Sequence, residues 1–234
     1  MMSDVVYLNE YKTHPFTSRK DFLNYLGDGN FNNILIALNA EKLMKDDDTL
    51  RRLVNQHVGY PDGIGTVMAL KRKGYTADKI PGAEFWLDII DRHYMDKTFY
   101  MVGGKSEVIE QTVGRLKEEY QGIDIVGYRD GYMDDQEEEG LVEEIKIKEP
   151  DIVFVAMGSP KQEFLMEKMF EEHPALYMGL GGSFDIYCGL KERAPKVFRK
   201  IGLEWFYRLI TEPSRIRRQI VYLPFLAKVI TNRI

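Results

Sequence analysis

"IVFVAMGSPKQEFLMEK", residues 152–168, consists of an apolar run, a glycine turn and an amphipathic segment. The uninterrupted apolar run predicts a strand that is buried on both faces. Gly158 permits a turn, and the apolar side chains beyond residue 160 recur at helical spacing. The polar side chains crowd the turn instead of the outer helix face, so the turn is a candidate ligand site.

The same alternation of strand and helix recurs along the chain. It predicts strands at Asn33–Leu38, His57–Tyr60, Phe99–Val102, Ile123–Val126, Ile152–Met157 and Leu176–Leu180. Helices are predicted at 41–54, 63–73, 82–95, 105–120, 135–148 and 160–172. Before residue 30 we expect irregular chain except for a helix near Arg19–Leu26. Apolar strands that alternate with helices predict an α/β fold, a Rossmann-like parallel sheet flanked by helices.

Composition fits one α/β domain with an appendage. The chain has 234 residues, of which 44% are hydrophobic and 29% charged, as in soluble globular proteins. The single cysteine, Cys188, excludes an intrachain disulfide and agrees with a cytoplasmic setting. We find neither a signal-peptide pattern at the start nor an apolar run of the roughly 18 residues that span a membrane.

Charge divides the chain into two parts. The chain has 32 Lys and Arg residues, of which 11 lie in residues 191–234. It has 37 Asp and Glu residues, of which only 3 lie in that segment. We therefore expect a catalytic domain at 1–195 and a basic helical appendage at 196–234. Basic residues interleaved with aromatic ones suit an anionic membrane surface, whereas a helix pair docked on the core is the alternative. The acidic remainder of the chain argues against nucleic acid.

Ligands of parallel α/β sheets bind beyond the carboxyl ends of the strands. In this sequence each predicted strand ends in polar or glycine-rich residues. These ends are Asn39-Ala40-Glu41, Pro61-Asp62-Gly63-Ile64-Gly65, Gly103-Gly104-Lys105, Gly127-Tyr128-Arg129-Asp130-Gly131, Gly158-Ser159-Pro160-Lys161-Gln162-Glu163 and Gly181-Gly182-Ser183-Phe184-Asp185. So much polar chemistry on one edge predicts a site there.

Two glycine pairs, Gly103-Gly104 and Gly181-Gly182, are candidates for holding phosphate. Bare backbone N–H groups before a helix suit a phosphate or diphosphate. The alternative is an ordinary tight turn. Neither a Walker pattern nor GxGxxG is present.

Asp62 and Asn39 follow two strands, and each has two interpretations. A carboxylate at the mouth of a cleft can act as general base toward a hydroxyl nucleophile. Asp62 can equally be the N-cap of the helix that begins near Ile64. Asn39 can likewise cap the next helix or bind a ligand.

The turn after residue 157 is predicted to place Ser159 at the N-cap and Pro160 at the first helical position. The helix dipole accounts for Glu163. Neither effect accounts for Gln162 beside Lys161, which suggests contact with a sugar or nucleotide.

Metal-binding patterns are weak in this sequence. Asp46-Asp47-Asp48 lies between helical segments, away from any strand end, and is interpreted as a surface turn. The four histidines, His14, His57, His93 and His173, lack metal-ligand spacing. We therefore assign no metal and no cofactor.

Eight motifs occur in order along the chain: LNAEKL 38–43, PDGIG 61–65, VGGK 102–105, DGYM 130–133, VAMGSPKQE 155–163, MGLGGSFD 178–185, RAPK 193–196 and GLEWFYRLITEPSRIRRQ 202–219. Together, from about Asn33 to Val221, they resemble the WecG/TagA/CpsF bacterial glycosyltransferases (glycosyltransferase family 26).

The resemblance implies an inverting, metal-independent transfer from a UDP-sugar to a saccharide on polyprenyl diphosphate. It also implies that the reaction takes place at the cytoplasmic face of the membrane, with the enzyme bound there peripherally. Family products include the teichoic-acid linkage unit, enterobacterial common antigen and capsules. Donors include UDP-N-acetylmannosamine and its uronate. The appendage closes the active site in some members, either in the monomer or within a homo-oligomer, and the sequence leaves this open.

Matched to the family motifs, Asp62 corresponds to the proposed base and Asn39 to a polar pocket residue, and both are predicted catalytic. Substrate-binding residues are predicted at Lys79, Gly103, Gly104, Lys105, Ser159, Lys161, Gln162, Glu163, Gly181, Gly182, Asp185, Arg215, Arg217 and Arg218. Two positions differ from many members: Ala37 replaces Thr, and Lys79 replaces Arg, which loses the bidentate fork.

Two other functions fit parts of this pattern. A regulatory or scaffold protein on the same fold would bind a UDP-sugar without transferring it. A dinucleotide oxidoreductase would need GxGxxG and an acidic ribose ligand after the first strand, and neither is found.

Overall fold

The structure of the protein, a computed structural model, describes residues 5–192, 194, 195, 198, 207 and 220–234. Its strands are β1 (Val6–Leu8), β2 (Tyr11–Thr13), β3 (Asn33–Leu38), β4 (Val58–Pro61), β5 (Thr98–Gly103), β6 (Asp124–Arg129), β7 (Ile152–Ala156) and β8 (Leu176–Gly179). Its helices are α1 (Arg19–Gly27), α2 (Ala40–Leu43), α3 (Asp48–Gln56), α4 (Ile64–Arg72), α5 (Gly82–His93), α6 (Ser106–Glu119), α7 (Asp135–Lys148), α8 (Lys161–Glu172), α9 (Ser183–Tyr187) and α10 (Tyr222–Ile230).

Six of the described strands form one parallel sheet in the order β4-β3-β8-β7-β5-β6. All six lie where the apolar runs predicted strands, with ends that differ by at most three residues. The α/β class and the parallel sheet flanked by helices are therefore confirmed.

Two local predictions were wrong. The first 30 residues contain an antiparallel hairpin of β1 and β2, whose strands are only three residues long and give little periodic signal. The segment 41–54 is two helices instead of one. Asn39 Oδ1 caps α2 by accepting from Lys42 N, and Asp47 Oδ1 caps α3 by accepting from Leu50 N, and two N-caps so close together divide the segment.

Side chains of the sheet alternate between two hydrophobic layers. In β3, Ile34 and Ile36 pack on one face with α3, α7 and α8. Leu35 packs on the other face with α1, α5 and α6. Because both faces are covered, the strands are apolar throughout, as the sequence pattern indicated.

A crevice forms where the helices that follow two neighbouring strands pack on opposite faces of the sheet. α8 follows β7 and packs in the first layer, whereas α6 follows β5 and packs in the second. β5 and β7 are adjacent in the sheet. Their carboxyl ends therefore border the kind of crevice in which open α/β sheets bind ligands.

The described end of the chain returns to the domain. Phe225 of α10 is fully buried, and its Cε1 lies 2.9 Å from the position that a Cβ on Gly65 would occupy. Gly65 therefore gives α10 room to pack against α4. Most of the predicted appendage, 196–234, lies outside the described residues, including Arg215, Arg217 and Arg218. None of the helices that the structure describes has the length and apolar character to cross a bilayer.

Candidate active site

A cleft of about 1240 Å³ opens at the carboxyl edge of the sheet. Most of the predicted site residues border it: Asn39, Asp62, Lys79, Gly104, Lys105, Ser159, Lys161, Gln162, Gly181, Gly182 and Asp185. Gly103 and Glu163 are not among the residues that line it. The three tail arginines are outside the described residues.

Asp62 is held between the end of β4 and the start of α5. Its backbone N donates to Leu38 O at 3.1 Å, and its Oδ1 accepts from Gly82 N at 2.8 Å. The alternative role as N-cap of α4 is wrong, because Gly63 occupies that position and no side chain caps the helix. Within the described chain, Asp62 Oδ2 receives no hydrogen bond and remains for a ligand.

Asn39 lies beside the Asp62 loop. Its Cβ is 3.3 Å from the position that a Cβ on Gly63 would take, so the ends of β3 and β4 meet at one corner of the cleft. Asn39 Oδ1 accepts from Lys42 N at 2.9 Å, which confirms the capping interpretation. The residue also borders the cleft, so its amide nitrogen can serve a ligand as well.

Gln162 joins the loops after β7 and β8. Its Oε1 accepts from Gly158 N at 3.2 Å and from Gly181 N at 2.9 Å, and its side chain is only 4% exposed. A Cβ on Gly179 would collide with Gln162 Nε2, so a glycine is needed there. Gln162 therefore fixes the shape of the cleft wall that it borders.

A buried ion pair lies behind this wall. Lys42 Nζ is 2.6 Å from Glu163 Oε1, and the two side chains are 6% and 1% exposed. Burial raises the pKa of Glu163, but the Lys42 charge and the hydrogen bonds from Lys42 and Gln162 outweigh it and hold that pKa below its usual value. Glu163 was predicted to contact substrate, and the structure instead gives it Lys42 as its partner.

Lys42 is a site residue that the sequence reasoning missed. It borders the cleft, and Nζ reaches Glu163 across 121 positions of sequence. The only signal was its place in the LNAEKL motif. No spacing rule pairs residues so far apart.

The start of α8 differs by one residue from its prediction. The helix begins at Lys161 with Pro160 as its N-cap, and the Ser159–Pro160 peptide is cis. Ser159 is exposed at the cleft and makes no capping bond. Its hydroxyl therefore does not cap the helix, and it lies close enough to Glu163 to help lower the pKa of that carboxyl.

The glycine turns are less bare than expected. Gly104 N donates to Ala156 O at 3.1 Å, and Gly181 N donates to Gln162, so neither N–H group remains for phosphate. Gly103 has φ of +121°, and a Cβ there would collide with Ala156 O. These glycines allow close packing of loops. The first N–H groups of α6 lie at the same edge and, as at any helix N-terminus, lack intrahelical acceptors.

Cationic side chains surround the crevice. Lys105 stands at the start of α6 and Lys161 at the start of α8, both exposed, and Lys79 borders the cleft beside the Asp62 corner. Asp185 is 2.8 Å from Lys191 Nζ. This distribution favours an anionic ligand along the crevice.

The acidic run 46–48 is a surface turn, as interpreted from the sequence. Asp47 caps α3, while the Asp46 and Asp48 side chains are almost fully exposed beside Arg51. In the part of the chain that the structure describes, no three His, Cys, Asp or Glu side chains are grouped to hold a metal.

A family model described as the glycosyl transferase WecG/TagA/CpsF family matches residues 14–234. The chain belongs to this family. It is therefore a glycosyltransferase of cell-surface polysaccharide biosynthesis, with a sugar donor and an acceptor as substrates. In this WecG/TagA/CpsF glycosyl transferase, the cleft at the carboxyl edge of the sheet has the volume and the polar groups to receive them.

Proposed function

We propose that the protein transfers a sugar from a UDP-sugar to a saccharide carried on polyprenyl diphosphate, with inversion and without a metal. The observation that carries this proposal is the Asp62 carboxylate. One of its oxygens is held by Gly82 N, and the other is open at the cleft. A fixed carboxylate beside a crevice rich in cations suits transfer from an activated, anionic donor.

The donor diphosphate is proposed to lie along the crevice between β5 and β7. The first turn of α6 supplies N–H groups, and Lys105 and Lys161 supply positive charge. UDP gains negative charge as the C1–O bond breaks, so groups already fixed there stabilise the transition state.

Asp62 is proposed to accept the proton of the acceptor hydroxyl as that oxygen attacks C1. Attack on the face opposite UDP inverts the anomeric carbon in a single displacement. The proton moves to Asp62 Oδ2, and the bond electrons leave with UDP. General-base assistance of this kind contributes about 10²–10⁴-fold to the rate.

The finer assignments come from the family resemblance. They are N-acetylmannosamine or its uronate as the sugar, the cytoplasmic membrane face as the location, and Arg215, Arg217 and Arg218 as contacts to anionic lipid. A substrate that is anchored in the membrane requires an enzyme that reaches the membrane surface, and each basic side chain near such a surface contributes about 1 kcal/mol.

A panel of UDP-sugars with a lipid-diphosphate-linked N-acetylglucosamine tests the proposal. UDP release and product mass are measured together, with reactions lacking acceptor as the control. We expect acceptor-dependent UDP release and one new glycoside of inverted configuration for one donor. UDP binding without transfer for any donor would support the non-catalytic alternative, and absence of UDP binding would overturn the donor class.

A further inference from the structure

Lys42 combines burial with access to the cleft. Its side chain is 6% exposed, yet it borders the cleft, whereas Lys105 and Lys161 are exposed on the rim. A buried ammonium is costly unless its hydrogen bonds and charge are matched. The partners of Lys42 therefore indicate what it does.

The described residues supply fewer hydrogen-bond acceptors than the Lys42 ammonium can use. Lys42 Nζ donates to Glu163 Oε1 at 2.6 Å, and no other acceptor for it exists among the described residues. An ammonium has three donors. Glu163 Oε2 is also buried and has no hydrogen-bond partner. A pair that served only stability would be a poor choice here, since well-packed apolar side chains are often as stable or more so.

The pair lies next to the proposed base. Lys42 N is bonded to Asn39 Oδ1, and Asn39 abuts Gly63 beside Asp62. Burial raises the pKa of Tyr60, and the negative charges of Asp62 and Glu163 raise it further, which places both carboxylates near this phenol. The backbone of Lys42 is therefore at the Asp62 corner of the cleft, and its Nζ extends to Glu163 in the first turn of α8, the helix that follows β7 at the proposed diphosphate crevice.

We propose that Lys42 is a substrate-binding residue whose buried ammonium, oriented by Glu163, binds an anionic oxygen of the donor. The inference rests on the proposed UDP-sugar donor. Two donor groups share this chemistry, the diphosphate and the carboxylate of a uronate sugar. Glu163 is a positioning residue because it touches Lys42 and not the substrate.

Removal of the pair as a unit separates binding from stability. Lys42→Met combined with Glu163→Met leaves no unpaired buried charge, so we expect it to fold even where Lys42→Met alone does not. The matched control is Lys146→Met with Glu172→Gln, an exposed pair 2.7 Å apart on α7 and α8. Calorimetric dissociation constants for uridine, UMP, UDP and a UDP-uronate are measured for each protein.

If Lys42 binds the diphosphate, the double variant loses UDP affinity at least tenfold while its uridine affinity changes less than twofold. If it binds the sugar carboxylate, only the UDP-uronate loses affinity. Lys42→Arg, which keeps the charge, should retain most of either affinity. The control pair should change neither.

Unchanged affinity of the folded double variant for UDP and the UDP-uronate would overturn the role of Lys42 while leaving the proposed function intact. Equal loss for uridine and UDP would also overturn it, because a deformed cleft would then explain the result. A wild-type protein that binds no UDP would refute the proposed function itself and this inference with it.

Discussion

Asp62 Oδ1 accepts a hydrogen bond from the backbone N–H of Gly82, the first residue of α5, at 2.8 Å. The contact joins the end of β4 to a helix on the second layer of the sheet. It uses one of the N–H groups that a helix N-terminus leaves without an intrahelical partner. Among the described residues, Asp62 Oδ1 is thus oriented by a backbone group and not by another side chain.

Asp62→Asn should abolish most turnover and leave the fold intact. Asparagine still offers an oxygen to Gly82 N, but it cannot accept a proton from the acceptor. We expect kcat to fall by about 10²–10⁴ and UDP affinity to change little. Steady-state kinetics and calorimetry measure the two effects, with Asp78→Asn, an exposed residue, as the control. Wild-type turnover would remove Asp62 from the mechanism.

Asn39 caps α2 with its side-chain oxygen, and its amide nitrogen is the group that can bind a ligand. Substitutions at this position distinguish the two roles. Asn39→Asp keeps an acceptor for Lys42 N, so the cap and the melting temperature should persist. Asn39→Ala loses the cap at a cost of about 0.5–2 kcal/mol. If the amide nitrogen binds donor or acceptor, both variants lose at least tenfold in kcat/KM. Full activity of Asn39→Asp would reduce Asn39 to a cap.

Much of the fold followed from the sequence because each central strand is a continuous apolar run. Ile152–Ala156 and Asn33–Leu38 are examples, since burial on both faces leaves no ambiguity about the strand. The hairpin of β1 and β2 was not predictable. Three-residue strands carry no usable period, and their pairing depends on packing against the rest of the domain.

The site was predictable in location and less so in detail. Strand ends must share one edge of a parallel sheet, which brought Asp62, Asn39 and Gln162 to one cleft. Side-chain partners across the fold were not predictable. Lys42 with Glu163, and Asp62 with Gly82, are chosen by tertiary packing, and local capping rules could not decide between the two interpretations of Asp62.

Gly179→Ala tests whether Gln162 holds the loops after β7 and β8 together. The new Cβ would collide with Gln162 Nε2 and lie 3.1 Å from Met166 Cε, so Gln162 must move away from Gly158 and Gly181. We expect a loss of about 1–3 kcal/mol in unfolding free energy and weaker UDP binding.

Gly140→Ala is the matched control for this substitution. Gly140 lies in α7 with no atom within 4 Å of an added Cβ, so alanine should stabilise the helix by about 0.5–1 kcal/mol. Urea unfolding of both variants supplies the comparison. An unfolding free energy of Gly179→Ala that is no lower than that of the wild type would show that Gln162 moves without cost and does not hold the two loops.

Two buried histidines predict a loss of stability in mild acid. His14 and His57 are 4% and 8% exposed, and burial lowers the pKa of each from 6.5 to about 4. Ile34 N donates to His57 Nδ1 at 3.4 Å, a bond that protonation at that atom would break. These two histidines therefore bind protons below about pH 6.5 in the unfolded chain, but only below about pH 4 in the native protein.

Stability should consequently fall as the pH is lowered through this window, by about 2 kcal/mol per histidine between pH 7.5 and 5. Urea unfolding at pH 7.5, 6 and 5 measures the loss. His57→Gln keeps an acceptor but does not titrate, so its loss over the same range should be smaller than that of the wild type by about 2 kcal/mol. The comparison remains valid if the substitution itself destabilises the protein. A pH-independent cost shifts the whole curve of unfolding free energy against pH without changing its slope. Parallel curves for the two proteins would mean that His57 is protonated in the folded state, and its buried environment would then have to accommodate the charge.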